Sequence, residues 1–426
     1  MAKKKVVAAK EGQLPDVMEM MKAIDDKSEL LSESTRARIN DWIPTGNYLL
    51  NACISGSILK GLPGGRITTF FGTNGSGKSY LACSTCREAI RKGYNILYLD
   101  SENSIDPVFM ERLSVDTSKV VIRSVNTITE CTQIVSNLLD TLKEQDEQYG
   151  YHHKFLIVLD SLGNLSDEAD NENLRNGEIK QNLQKNKKNA QFFRVITTLL
   201  GETDTTMIVI SHCYASMSMF SSGNILTGGE SIKYNSSVIL ELFPSKLVDK
   251  ENDEAAAKAR GGDANVKNGV VVTAKCSKNR LARPKKISSL RIPFYKKPNP
   301  YIGLEEYCTW NIDKDGRFGA VRGTMLTKSE FEKSGGESDK VHSWELNGET
   351  YYCLEKDTAR GIVVKHLGKQ VSFQEFFTKE VFTDEFLEAL DENVIRPEFE
   401  LPNQSSDEDI QDIESTIDVG GSVETE

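Results

Sequence analysis

Eight consecutive residues, Gly72-Thr-Asn-Gly-Ser-Gly77-Lys78-Ser79, constrain this chain more than any other feature. They fit the pattern GxxxxGK[ST] without a mismatch. The apolar run Ile67–Gly72 leads into them, and a helix-period run over residues 79–92 follows. A strand, a tight turn and a helix are therefore expected. Glycines let the turn aim successive N–H groups at phosphate oxygens, and the helix N-terminus adds a favourable dipole. In such a loop Gly72, Thr73, Asn74, Gly75, Ser76 and Gly77 cradle phosphates, with Tyr80 adjoining. Lys78 reaches the β- and γ-phosphates, and the Ser79 hydroxyl ligates Mg²⁺. A glycine-rich turn that binds nothing is the competing reading, and the flanking strand and helix disfavour it.

The rest of the chain supplies matching strands. Apolar runs at Ile67–Gly72, Asn95–Asp100, 120–123, Phe155–Asp160 and 206–211 read as strands buried on both faces of a parallel sheet. Helical runs at 79–92, 129–149 and 180–201 lie between several of them, giving an α/β fold with a mostly parallel sheet covered by helices. Strands at 238–243, 270–276 and 290–294 follow more closely and suggest antiparallel extensions on one side. Short elements at 350–354, 372–377 and Asp384–Leu390 suggest a small C-terminal unit. The expected division is an arm over 1–40, an ATPase core over 41–300, a C-terminal domain over 301–400 and a disordered tail over 401–426. The arm contains an amphipathic stretch at 14–24 and a helical run at 27–38. Residues 249–268 read as an exposed loop.

Three carboxylates sit where chemistry would need them. Asp160 ends an apolar strand about eighty residues after the phosphate loop, the place of a second partner for Mg²⁺. The run Ile96-Leu-Tyr-Leu-Asp100-Ser-Glu102 ends in two more acids. Glu102 lies just beyond the strand, placed to take a proton from a water attacking a γ-phosphate, with Asp100 as its competitor. Cys83 and Cys86 have a CxxC spacing, but no second ligand pair accompanies them, so packing of a helix on the sheet is expected.

The formal charge is −11, yet residues 401–426 hold eight acids and no Lys or Arg, which leaves −3 for the remainder. The acidic total therefore does not exclude a nucleic-acid partner. No apolar run approaches the ~20 residues that span a bilayer, and no apolar stretch follows the basic start Met1-Ala-Lys-Lys-Lys5. A cytoplasmic protein without a membrane partner is expected, its eight cysteines reduced.

With these residues in place the sequence resembles the RecA family of ATP-dependent recombinases, and most of all its phage-type, UvsX-like branch. The likeness runs from about Asp41 to Phe294. It is carried by Gly61-Leu-Pro-Gly-Gly-Arg-Ile67, by Leu99-Asp-Ser-Glu-Asn-Ser-Ile-Asp106-Pro and by Leu159-Asp-Ser-Leu-Gly-Asn-Leu165, in family order. The resemblance implies ATP as substrate, Glu102 as catalytic glutamate, Asp160 as the Walker B acid, and Phe109 packing on adenine with Asp106 nearby.

It also implies two single-stranded-DNA loops, one near 166–179 and one near 213–227. The second, with Met217, Met219 and Phe220 before Gly228 and Gly229, suits wedging between bases. Lys180, Lys185 and Arg194 offer phosphate-neutralising charge beside the first, or else form a solvated helix face. His212 stands where the family usually has a glutamine that senses the γ-phosphate, and its protonation would make that coupling pH-sensitive. Lys278 and Arg280 resemble the basic pair that reaches the ATP of a neighbouring subunit.

The function implied is a DNA-dependent ATPase that forms helical filaments on single-stranded DNA, pairs it with double-stranded DNA and exchanges strands. A loading mediator and a single-strand-binding protein are its expected helpers. The alternatives are a RecA-core replicative helicase and an ATP-binding recombination mediator. The short region before the phosphate loop weighs against the first, and the presence of Glu102, Asp160 and Lys278 against the second. The acidic tail either shields the DNA site or only solubilises.

Overall fold

Apolar runs alternate with helix-period runs, and the computed structural model of the protein follows that alternation. It describes residues 21, 38–150, 153–168, 184–215, 224–226, 230–245, 269–293, 297–308, 316–334, 341–354 and 361–401. The helices are α1 (Tyr48–Ser55), α2 (Lys78–Arg91), α3 (Pro107–Arg112), α4 (Ile128–Tyr149), α5 (Gln184–Thr203) and α6 (Glu230–Asn235). The strands are β1 (Ile67–Gly72), β2 (Asn95–Asp100), β3 (Val120–Ser124), β4 (Phe155–Asp160), β5 (Thr206–Ala215), β6 (Asn224–Leu226), β7 (Val238–Ser245), β8 (Gly269–Asn279) and β9 (Lys286–Pro293).

These nine strands form one sheet in the order β9-β8-β7-β1-β5-β4-β2-β3, with β6 paired to β5. From β7 to β3 every pairing is parallel. Strands β8 and β9 add antiparallel on one side, as expected for closely spaced strands.

Side chains alternate across the strands. Ile96, Tyr98, Leu156, Val158, Ile208 and Ile210 meet α1 and α2 on one face. Leu97, Leu99, Ile157, Leu159, Met207 and Val209 meet α4 and α5 on the other. Cys83 and Cys86 lie fully buried on α2 in the first of these layers, packing helix on sheet.

One strand departs from expectation. β3 is the terminal strand, not an interior one, and Val121 and Ile122 are 61% and 53% exposed. An apolar composition marks a strand without saying whether a neighbour covers it, so an edge strand reads like a central one.

Residues 297–401 include two three-stranded antiparallel sheets and several short helices, among them Asp384–Leu390. Leu304, Ile362, Phe382, Phe386 and Phe399 join the same apolar cluster as α1 and α2. Asp391, fully buried, accepts hydrogen bonds from Ser57 Oγ and the Ile58 N–H at 2.7 Å each, and from Arg396 Nε at 2.9 Å. The expected arm (apart from Met21 and residues 38–40), the loop 249–268 and the tail beyond Leu401 lie outside the described residues.

Candidate nucleotide site

Four adjacent parallel strands, β1, β5, β4 and β2, bring Gly72, His212, Asp160 and Glu102 to one end of the sheet. Carboxyl ends of parallel strands are where open α/β sheets bind ligands, because the loops leaving them diverge into a crevice.

The glycines perform the task their pattern implies. Gly77 has φ +85°, and a Cβ there would meet Ile292 Cδ1 at 2.2 Å. A Cβ on Gly72 would collide with the Leu242 carbonyl at 2.4 Å. Lys78 is nearly buried, and its ammonium donates to the carbonyls of Gly72 at 3.0 Å and Thr73 at 2.9 Å. Burial lowers its pKa, opposed by the nearby Asp160, Cys213 and Glu102. Ser76 Oγ is buried and has no hydrogen-bond partner among the described residues, as a group kept for a phosphate oxygen would be.

Ser79 Oγ donates to Asp160 Oδ2 at 2.7 Å, and the Tyr98 hydroxyl donates to the same oxygen at 2.8 Å. Asp160 is 2% exposed. Desolvation raises its pKa, opposed by those two hydroxyls. Among the described residues no group of three His, Cys, Asp or Glu side chains could hold an ion alone. A hydroxyl and one carboxylate, completed by water and substrate phosphates, is nevertheless the hard-oxygen set that Mg²⁺ takes. The residues present therefore fit it.

Glu102 is separated from its competitor. Asp100 is 3% exposed and both its oxygens are occupied, Oδ1 by the Glu102 N–H and Oδ2 by the N–H groups of Ser104 and Ile105. It shapes the turn that presents Glu102. Ser161 Oγ and His212 Nε2 both lie 2.8 Å from Glu102 Oε1. Burial acts to raise the Glu102 pKa, but the hydrogen bonds from His212 and Ser161 and the charge of Lys78 outweigh it and hold the carboxyl below its ordinary value. Oε2 has no hydrogen-bond partner among the described residues.

The remaining assignments fall in three groups. Tyr80 is 7% exposed and packs in the core under α2, one residue past Ser79 and so turned towards the sheet. Asp106 caps α3 by accepting from the Val108 N–H at 3.0 Å, and Phe109 packs half-buried against the core. Lys278 and Arg280 lie far down the sheet. Gly72 is level with Leu242, whereas Lys278 pairs with Ile239, three residues towards the opposite end, about 10 Å away at ~3.3 Å per residue. There Lys278 Nζ donates to the carbonyls of Lys233 and Tyr234, and Arg280 to that of Tyr234 at 3.0 Å.

Of the expected DNA contacts, Lys180, Met217, Met219, Phe220, Gly228 and Gly229 lie outside the described residues. Lys185 donates to the Gly163 carbonyl at 3.1 Å, and Arg194 is exposed on α5. Two residues of the site escaped the sequence reading, Tyr98 and Ser161. A tyrosine in a wholly apolar strand is the signal for the first, since a buried phenol needs a partner.

The RecA N-terminal domain family model matches residues 18–297. "Protein RecA" of Thermus aquaticus is 28% identical over 265 residues, which is 62% of this chain and 70% of that protein. "Protein RecA" of Paenarthrobacter aurescens is 27% identical over 263 residues, 62% of this chain and 67% of that one. For Treponema denticola "Protein RecA" the identity is 26%, and the aligned part covers 57% of its length.

Proposed function

The chain belongs to the RecA family, and on that premise we propose that it is a DNA-dependent ATPase of recombination and repair. In this reading it assembles as a helical filament on single-stranded DNA and exchanges strands with a homologous duplex, like the phage-type UvsX recombinases. The observation that carries the proposal is that the residues expected to meet the phosphates lie at opposite ends of one sheet. Lys78, Ser79, Asp160 and Glu102 gather at the carboxyl ends of the strands, while Lys278 and Arg280 lie at the amino ends. No single copy brings both sets to one nucleotide, whereas copies stacked head to tail do, with ATP between them. The exposed edge of β3 supports the same assembly. An added strand from a neighbouring copy would pair with the backbone edge of β3 and shelter the flanks of Val121 and Ile122.

At the site Lys78 and the loop amides would hold the phosphates, and Ser79 and Asp160 would hold Mg²⁺. The chemistry such an ion would supply there is neutralisation of the charge developing on the phosphate oxygens. Ser161 and His212 fix Glu102 through Oε1 and leave Oε2 to the substrate water. As the water oxygen bonds to the γ-phosphorus, the bond to the ADP oxygen breaks and Glu102 takes the proton. Lys278 and Arg280 of the next copy stabilise the charge spreading over the phosphoryl group. His212 ties Glu102 to β5, which continues into the segment 216–223, so nucleotide state and DNA binding would share one side chain.

Electron microscopy of the full chain with single-stranded DNA and a non-hydrolysable ATP analogue tests this. Helical filaments are expected. Closed rings would instead indicate a helicase motor, and isolated particles a mediator; either result overturns the reading.

A further inference from the structure

Tyr98 sits on β2 with no exposed surface, in the apolar layer beneath α2. Ile96, Val158 and Ile210 share that layer, where a phenol is retained at a cost unless its hydroxyl has a partner. The partner is a single oxygen, Asp160 Oδ2, 2.8 Å away, to which Ser79 also donates at 2.7 Å. The two donors to Asp160 differ in kind. Ser79 belongs to the phosphate loop and shares in holding the ion. Tyr98 is locked in the core, between the helix that follows the loop and the strand that carries the acid.

Resting on the Mg²⁺–ATP reading above, we propose that Tyr98 is a positioning residue of the metal site. Its phenol holds the Asp160 carboxylate facing Ser79 before the ion and nucleotide arrive. Ser79 alone would leave that orientation dependent on a hydroxyl that must also turn to the ion. A second donor, fully buried in the core, removes that dependence. Partners of this kind, one step behind a metal ligand, are worth about 10–100-fold in metal affinity.

Tyr98→Phe removes one oxygen and keeps the ring. Mg²⁺ is titrated into the full-length protein with a fluorescent non-hydrolysable ATP analogue, and analogue binding is measured separately in EDTA. The Mg²⁺ concentration at half-saturation should rise about tenfold or more, with metal-free affinity changed less than about twofold. An unchanged half-point overturns the inference. So does an equal loss in EDTA, which would assign Tyr98 to support of the phosphate loop. In an Asp160→Asn background the same substitution should have no further effect on the half-point, and an additional loss there would reduce Tyr98 to packing. If the unsubstituted protein shows no Mg²⁺-dependent nucleotide binding, the ATPase reading itself falls.

Discussion

The two ends of the central sheet are built differently. At the carboxyl ends, the functional side chains bind one another: Ser79 and Tyr98 to Asp160, Ser161 and His212 to Glu102. At the amino ends, the side chains of Lys278 and Arg280 donate, among the described residues, to backbone carbonyls of α6. One end is closed and oriented. The other is a pair of cations held by carbonyls, with no carboxylate among their hydrogen-bond partners in the described residues. Burial and the charge of Arg280 both lower the Lys278 pKa, as for a cation that lacks its anion. In the reading proposed above, a complete catalytic site would need two copies, one supplying each end.

The strongest way to break this comparison is to disable one end at a time. Lys278→Ala with Arg280→Ala should cost roughly 10³-fold or more in DNA-stimulated ATP turnover, the scale of a missing arginine finger. Glu102→Gln should cost about 10²–10⁴-fold while ATP-dependent DNA binding persists. Mixing the two inactive proteins then sharpens the point. In a random mixed filament about one interface in four joins an intact Glu102 to intact trans cations, so activity should return towards a quarter of normal. Steady-state ATPase assays read all three. No recovery on mixing would mean that Lys278 and Arg280 serve their own copy or none.

How much of this was legible beforehand follows the same division. The closed end announces itself, because backbone geometry dictates glycines, a lysine and a serine at fixed spacing, and because β1, β2, β4 and β5 are apolar almost throughout. Glu102 is preferred over Asp100 in the sequence by its place just beyond the strand and by the family resemblance, whereas the physical reason, that the following turn consumes Asp100, appears only in the fold. Tyr80 was assigned by adjacency to Ser79, whereas helical rotation turns it to the core. The edge position of β3 is a property of sheet order, which depends on contacts between distant segments. The placement of Lys278 and Arg280 needed the antiparallel register of β8 on β7, shifted by a bulge between Cys276 and Lys278.

The amino-terminal end also contains a charged cluster that the comparison predicts to be purely structural. Asp41 accepts from Lys92, from Lys154 at 2.9 Å and from the Tyr94 hydroxyl at 2.9 Å, while its backbone carbonyl accepts from the Gly64 N–H. Burial acts to raise the Asp41 pKa, but the bonds from Lys92, Lys154, Tyr94 and the Trp42 N–H outweigh it and hold the carboxyl well below its ordinary value of 3.8. A depressed carboxyl stabilises the fold fully above its unfolded pKa, and that contribution fades as pH falls towards the folded one. The lysines are partly exposed, so solvent screening discounts the pairs. Asp41→Asn should then cost about 1–2 kcal/mol in urea unfolding at pH 7, and the gap should narrow as pH falls below 3.8. ATP turnover by the folded protein should be unchanged. If Asp41→Asn instead lowers turnover as Lys278→Ala does, the ionic cluster belongs to the catalytic interface and the amino-terminal end has no separate structural part.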